Sequence, residues 1–472
     1  MNPIPSFQTL NRLGNFGRSL YAPAYLYQPT SVEEIEQIFK TARERGLTIG
    51  LRGAGKSYND AALNGGGIVL DLRRMNRILE WNPETGLIRL EPGVTIQQLW
   101  QHTLPDGWWP PVVSGTMTTT LGGCLAMNIH GKNNFRMGTL GEHVLEFTLL
   151  LPTGLEIICG PKKNRDLFYA AVGGLGMLGV FTTITLQMKK IHSGFLRVRA
   201  WHVPDLNAHL AALEAGAPAH DYIVGWLDAT AGGPGLGRGQ IHAADYLPEG
   251  QDTHPERSLR VDYQTLPSKF FGLVPKSLLH YFMAPFMNNL GAWAVNSAKY
   301  LLSLPARSYS QTHAAFHFLL DYVPDWELAY GRQGLIQYQS FLPKETARDA
   351  WAEMLTLSRR RDLPSYLGVT KRHRPDGFLL SHAVDGFSLA LDFKVTESKR
   401  ARLATMLEDF DRIALEAGGR FYFAKNSETS PETARRFLSA EAVAKFKALK
   451  KRCDPHHLLQ SDLYRRLFGE QE

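Results

Sequence analysis

The glycines of this chain constrain its fold more than any other feature. They crowd into three clusters, at 53–55, 122–123 and 173–179, each set among stretches of strand or short-helix character. Lacking a Cβ, glycine lets main chain come close to another segment or to a ligand. Two clusters spell nucleotide motifs. Gly50 to Ser57, "GLRGAGKS", satisfies G-x-x-x-x-G-K-[ST], a pattern that works only with a strand before it and a helix after it. "LTIGLR" supplies the strand, but "YNDAALNGGG" is a turn cluster, with Asn59 and Asp60 favouring turns and Asn64 to Gly67 breaking the chain. Gly174 to Gly179, "GLGMLG", satisfies G-x-G-x-x-G. Here the helical "DLFYAAV" precedes and the β-rich "VFTTITLQM" follows, the reverse of the strand–glycine–helix order. Context therefore rejects both a nucleoside triphosphatase and a Rossmann site. What stays is a set of Gly-rich turns, suited to the phosphates of a cofactor or to packing helix on sheet.

The flanking elements are legible. "TSVEEIEQIFKTARERG" predicts a helix opened by a Ser31/Glu34 capping box, with Val32, Ile35, Ile38, Phe39 and Ala42 on one face. "ILEWNPETGLIRLEPG" predicts a hairpin turning at Asn82–Gly86, and "TIQQLWQHTL" a short helix behind a second capping box, Thr95/Gln98. A late helix begins at Ser430-Pro431 and ends before Asp454-Pro455.

At 472 residues the chain has room for two substantial domains. No apolar run reaches the ~18 residues of a membrane span, and "MNPIPSFQTLNRLGNFGRS" has no apolar leader core. Cys124, Cys159 and Cys453 are widely spaced with no CxxC, so neither a disulfide framework nor a metal site is expected. A net charge of +7 favours anionic partners. Without a compact Lys/Arg block, phosphate esters and lipid surfaces rank above nucleic acid, which is not expected as a partner.

"PTSVEEIEQIFKTARERGLTIGLRGAGKSY", "IVLDLRRMNRI", "EPGVTIQQL", "GTMTTTLGGCLAMNIHG" and "GGLGMLGVFTTITLQM" follow one another in an order that resembles the vanillyl-alcohol-oxidase superfamily of FAD enzymes. "GAGKSYNDAALNGGG", "NIHGKNN", "AYGRQGLIQYQSFLP", "GGRFYFAKNSETS" and "DPHHLLQSDLYRRL" are similar to one branch of it, the decaprenylphosphoryl-β-D-ribose 2-oxidases. The likeness spans most of 1–190 and 310–465 and fades over about 195–305. It implies an α+β fold: a two-subdomain FAD-binding domain of the PCMH type over 1–193, a mixed α/β substrate-binding domain built on an antiparallel sheet over 194–419, and a segment, 420–472, returning to the first domain.

The resemblance also implies chemistry: FAD-dependent oxidation of the ribose C2 hydroxyl of a polyprenyl-phosphate sugar to a keto sugar. That is the first half of an epimerisation to arabinose, completed by an NADH-dependent reductase partner. It assigns cofactor binding to Arg52, Gly53, Gly55, Lys56, Ser57, Tyr58 and Asn59, to Gly115, Thr120, Gly122, Gly123, Asn128 and His130, and to Tyr422. Tyr330, Gln337, Gln339, Lys371 and Lys425 fall on substrate-pocket positions. Lys56 stands where many superfamily members carry a flavin-linked histidine, so FAD is expected to be non-covalent. Ala390 replaces the branch's pocket cysteine, Leu175 its asparagine after "GG", and Phe181 a smaller aliphatic residue.

Lys425, His130 and Tyr58 are the candidate catalytic residues. Lys425 is expected to serve as a cation beside flavin and sugar, or as a base if burial or nearby cations depress its pKa; a surface lysine after a strand is the bland reading. His130 either positions the flavin and its proton path or packs as a structural histidine; Tyr58 shapes the flavin pocket or is a core aromatic. Gln337 and Gln339, two apart on a predicted strand, share one face, as sugar ligands or as the polar face of an edge strand. Lys371 meets the substrate phosphate or sits in a solvated basic loop. Tyr263 to Leu320 holds no Asp or Glu but carries Lys269, Lys276, Lys299 and Arg307 among apolar and aromatic residues. That composition suits peripheral contact with an anionic membrane, from the cytoplasmic side with the periplasmic side left open; a buried helical hairpin or a subunit interface is the alternative. The rival functions are a soluble alditol or aldonolactone oxidase and a non-catalytic flavin-binding partner protein.

Overall fold

In the computed structural model, which describes residues 10–270 and 274–469, the chain after Ser31 forms the helix Val32–Glu44. Ile35, Ile38, Phe39 and Ala42 are buried on one face, the larger three stabilising it by roughly 1.5–3 kcal/mol each. The cap differs from the expected box. Ser31 accepts from Glu34 N, but the Glu34 carboxylate reaches past Ser31 to Thr30 N, at 2.7 Å, and Thr30 Oγ1. Residues 1–9, within the leader reading, and Phe271, Gly272 and Leu273 of the basic apolar segment lie outside the described residues.

That helix packs on a four-stranded sheet of order Asn11–Gly14, Tyr21–Tyr27, Ile68–Asp71, Ile49–Arg52, whose last three strands are parallel. An antiparallel five-stranded sheet follows, of order Ile78–Asn82, Leu87–Leu90, Val180–Gln187, Val144–Leu150, Glu156–Cys159. The two sheets bracket the glycine turns. After Arg52 only the single 3-10 turn Asp60–Ala62 forms, because the Asn59 side chain takes the Ala61 N–H. "GLGMLG" lies between the helix Arg165–Ala171 and the strand Val180–Gln187. Neither nucleotide motif has the setting its name requires.

The rest builds one eight-stranded antiparallel sheet, of order Arg307–Thr312, Phe195–Val203, Gly239–Tyr246, Tyr222–Leu227, Leu367–His373, Gly386–Lys394, Leu335–Pro343, Arg420–Phe421. The chain then returns to the first sheet: Ile49 N donates to Leu458 O and Gln460 N to Ile49 O. The expected single helix after Ser430 is two, Pro431–Phe437 and Ala440–Cys453. Leu438 is extended and the Ser439 hydroxyl takes the Ala442 N–H, capping a fresh start.

Among the described residues no helix is long and apolar enough to cross a membrane, and no group of side chains is arranged to hold a metal. The basic apolar segment is not a buried hairpin. It folds as Leu279–Met283 and Asn289–Leu302 on the surface, with Tyr281 67 %, Leu290 73 % and Leu302 70 % exposed.

Candidate active site

A long cleft runs between the glycine turns and one face of the eight-stranded sheet, holding about 1820 Å³ of empty space with its open mouth included. Its first wall is the loop after the strand Ile49–Arg52. Arg52, Gly53, Gly55, Lys56, Ser57 and Tyr58 all line it. The main-chain N–H groups of Gly53, Ala54, Gly55, Lys56 and Ser57 donate to no acceptor among the described residues. Arg52 is occupied with the loop itself, donating to Ala62 O and Gly14 O beneath Gly55, whose φ of +66° favours glycine. Lys56 Nζ sits over the Phe16 ring, 4.6 Å from its centroid.

Gly115, Thr120, Gly122, Gly123 and His130 form the second wall. The two walls nearly touch: a Cβ on Gly53 would lie 2.0 Å from Thr120 Oγ1. Leu320 N donates to Gly115 O, and the Asp321 carboxylate takes Thr116 Oγ1 and Met117 N, so the stretch around Leu320 closes one side.

The C-terminal segment completes the site. Tyr58 N donates to Ala424 O at 2.8 Å and Asn59 Nδ2 to Phe423 O at 2.6 Å, stitching residues 422–425 to the first loop. Tyr422 and Lys425 thereby line the cleft, and Lys425 Nζ lies 3.9 Å from the Tyr58 ring centroid, a cation–π distance.

The sheet gives the floor. Gln337 pairs with Asp392, Gln339 with Ala390, and Lys371 with Ser388. Alternation brings Gln337, Gln339, Lys371, Ser388 and Ala390 to the cleft. Gln339 Nε2 lies 3.3 Å from His130 Nε2 and 3.3 Å from Ser388 Oγ, and Lys371 Nζ lies 3.5 Å from His130 Nδ1.

Burial dominates the electrostatics. It lowers Lys425 to about 7, against the opposing pull of Asp392 and with the help of Lys371. It lowers Lys371 to about 8 and Lys132 to about 7. His130 falls well below its ordinary value through burial and the charges of Lys371, His373, His382 and Lys425, and so is neutral at pH 7. Burial raises Asp392 to about 6, against Gln337 and Lys425, and lifts the Tyr58 phenol well above 10.

Three expected site residues do not line the cleft. Tyr330 is buried with Phe16, Tyr58, Trp326 and Leu335, behind Tyr58 rather than beside a substrate. Asn59 serves the stitch to Phe423, and Asn128, at φ +46°, takes the Gly141 N–H. Others went unseen: Lys132, Ser388, Asp392 and the pair Leu319–Leu320. Lys132 stood in the quoted "NIHGKNN"; Asp392 needed the strand register; "FLLDY" carried no signal.

The cleft fits a flavin dinucleotide. Five successive free N–H groups suit a pyrophosphate, and mostly apolar walls, including Leu175, Phe181 and Ala424, suit a planar ring. Comparison agrees: a family model described as "FAD binding domain" matches residues 23–160. The decaprenylphosphoryl-β-D-ribose oxidase of Mycolicibacterium smegmatis is 31 % identical over 97 % of this chain and 98 % of its own. An uncharacterized protein from the mprA 5′ region of Streptomyces coelicolor is 28 % identical over 79 % of this chain and 100 % of its own. The L-gulonolactone oxidase of Mus musculus is 30 % identical, over only 35 % of this chain and 37 % of its own. With full-length similarity joined to a cleft built for the cofactor, the chain belongs to the decaprenylphosphoryl-β-D-ribose oxidase family of FAD-dependent oxidoreductases.

Proposed function

We propose that this oxidoreductase removes two electrons from the ribose C2 hydroxyl of a polyprenylphosphoryl-β-D-ribose, giving the 2-keto sugar. The product is the first half of an epimerisation to arabinose, so an NADH-dependent reductase is its expected partner. The enzyme works as a peripheral protein at an anionic membrane surface.

The observation that carries this reading is that a run of exposed apolar side chains ends at a residue that lines the cleft. Of the 19 exposed large apolar side chains among the described residues, 13 fall between Tyr263 and Leu319. Leu319 is both exposed and a cleft residue. Met287, beside exposed Phe286, packs in the same cluster as Leu320. The segment has no carboxylate and carries Lys269, Lys299 and Arg307. A patch of this kind marks an interaction site, and cations without acids select an anionic bilayer. A lipid-linked sugar reaches the floor while its chain stays in lipid.

When bound, FAD would supply a two-electron acceptor for the hydride of the carbinol carbon. The free N–H groups of 53–57 would hold its pyrophosphate, with Gly115, Gly122, Gly123 and Tyr422 along its length. Lys425 satisfies the condition for a base: with burial lowering it to about 7, a free amine is present at neutral pH. It accepts the C2 hydroxyl proton and so becomes the cation that balances the charge left beside it. Neutral His130 is bracketed by the Lys371 amine at Nδ1 and the Gln339 amide at Nε2 and accepts a hydrogen bond through its one unprotonated ring nitrogen; Gln337 and Gln339 orient the sugar hydroxyls. Lys371 meets the substrate phosphate.

The test is anaerobic reduction. Purified enzyme is mixed with polyprenylphosphoryl-ribose, with free ribose and with alditols, and the flavin absorbance is followed. Bleaching by the lipid-linked sugar alone is expected. Equal bleaching by free sugars would establish the soluble oxidase instead, and no bleaching by any alcohol the non-catalytic partner.

A further inference from the structure

Asp392 is a carboxyl for which neither packing nor the steps above give a use. It sits on the strand Gly386–Lys394 directly opposite Gln337. Its main-chain oxygen is pinned by Tyr366 N and Ser365 Oγ, so the residue cannot drift. The side chain is 1 % exposed. Oδ1 accepts from Gln337 Nε2, while Oδ2 is buried with no partner among the described residues. An interior carboxylate oxygen left unpaired costs several kcal/mol unless a cation faces it or a proton covers it.

The titratable groups around it are few. Lys425 of the C-terminal segment, seated over the Tyr58 ring of the first loop, and Tyr330, packed with Tyr58, are the groups within its electrostatic reach. Lys371, on the neighbouring strand Leu367–His373, acts on Lys425 with the opposite sign. Of the other carboxyls nearby, Asp321 holds Thr116 and Met117, and Glu327 feels the charges of Lys56 and Arg18.

We propose that Asp392 is a positioning residue for the reaction: held by Gln337, which lines the cleft with Lys425, its unpartnered carboxylate favours the ammonium form of Lys425 once the hydroxyl proton has arrived, and so sets how strong a base Lys425 is. This rests on the proposed role of Lys425. Gln337 has a second task in this arrangement, since its amide donor keeps Asp392 ionised and the carboxylate aimed. Burial and Lys371 weaken the amine as a base; Asp392 restores enough proton affinity for it to hold the proton through the step.

The test needs no substrate, so its outcome is independent of whether the sugar has been identified correctly. The holoenzyme is labelled competitively with isotopic acetic anhydride across a range of pH. The Lys425 peptide is quantified by mass spectrometry, with exposed Lys40 as internal reference. In Asp392→Asn the Lys425 midpoint falls by about one unit or more, a tenfold loss of proton affinity, while Lys40 stays put. Asp392→Glu keeps the midpoint near that of the wild type. Should the Asn variant not retain flavin, Gln337→Met serves, because loss of the donor lets Asp392 take up a proton and lowers Lys425 in the same direction. A Lys425 midpoint unmoved in the folded variant, or one that falls equally in Asp392→Glu, overturns the proposal.

Discussion

Replacing Gly53 with Ala tests whether the two glycine walls are held as close as the cofactor needs. The new methyl would sit 2.0 Å from Thr120 Oγ1 and 3.3 Å from Thr120 Cβ, where ordinary contact begins at 3.4 Å. Turning the hydroxyl away removes the worst clash but not the second. Thr120 cannot retreat either, since the backbone beyond it is fixed by Leu121 N on Val94 O and Gly122 N on Pro92 O. Crowding of this size costs about 1–3 kcal/mol. Taken from cofactor affinity, it weakens FAD about 5- to 150-fold. The assay is reconstitution of apoprotein with FAD, followed by quenching of flavin fluorescence, together with the temperature at which flavin is released. Thr120→Ala added to Gly53→Ala removes Oγ1 and its 2.0 Å clash, leaves only the milder 3.3 Å contact with Cβ, and is expected to restore most of the affinity. FAD bound by Gly53→Ala within twofold of wild type would refute the reasoning; so would a double variant no better than the single one, because Gly53 would then be answering to the ligand and not to Thr120.

Lys425→Ala is expected to keep FAD and lose about 10²- to 10⁴-fold in the rate of flavin reduction. In the wild type that rate rises as pH rises through about 7, since the free amine is the reactive form and burial has brought its pKa down from 10.5; a rate constant flat from pH 5.5 to 8.5 argues against Lys425 as base. Acid precipitation is expected to leave the yellow flavin in the supernatant, as no histidine or cysteine stands in the 52–59 loop, and a yellow pellet reverses that expectation. Leu290, Trp293 and Leu302, all exposed, when changed together to Ser should cost more than 100-fold in co-sedimentation with anionic vesicles while free-solution flavin reduction is kept, at roughly 1.5–3 kcal/mol per buried side chain; unchanged sedimentation removes the membrane role. His209, buried between Thr370 Oγ1 and Gly237 O, is lowered by burial to about 4. The unfolded chain therefore binds the extra proton below 6.5 and stability drains as pH falls, so the stability gap between wild type and His209→Gln should narrow by about 2 kcal/mol from pH 7 to 5, as read by calorimetry.

Local order was readable where a residue acts on its neighbours. The turn at Asn59 and the Thr95/Gln98 box depend on contacts a few residues apart, and both are present. The shared face of Gln337 and Gln339 follows from strand alternation alone. Features depending on distant partners were not readable. Nothing local says that Tyr330 packs behind Tyr58, or that Asn59 spends its amide on Phe423, 364 residues away. Asp392 became visible only once the register set it opposite Gln337. Leu175, where the resemblance expects asparagine, has φ +62°. That left-handed backbone tolerates asparagine better than leucine, so the departure noted in the sequence is a local strain that the sequence could not weigh.

The clasp between the first loop and the C-terminal segment explains how one chain keeps the cofactor loop and Lys425 in step. Lys425 is placed by no long element of its own: it follows the two-residue strand Arg420–Phe421 and sits in a turn. Its position comes from Tyr58 N on Ala424 O, from Asn59 on Phe423 O, and from Asn426, which exchanges hydrogen bonds with the main chain of Gln339. The first two partners belong to the loop whose free amides suit the pyrophosphate; the third belongs to the sheet that brings Gln337 and Gln339 to the cleft. A shift of either body therefore moves the amine with it. The acidic side of the site obeys the same logic, because Asp392 and Gln337 lie on adjacent strands of that sheet. The Lys425 segment, the sheet floor and the first loop thus form one hydrogen-bonded unit, and Gly53 of that loop lets the unit close on Thr120.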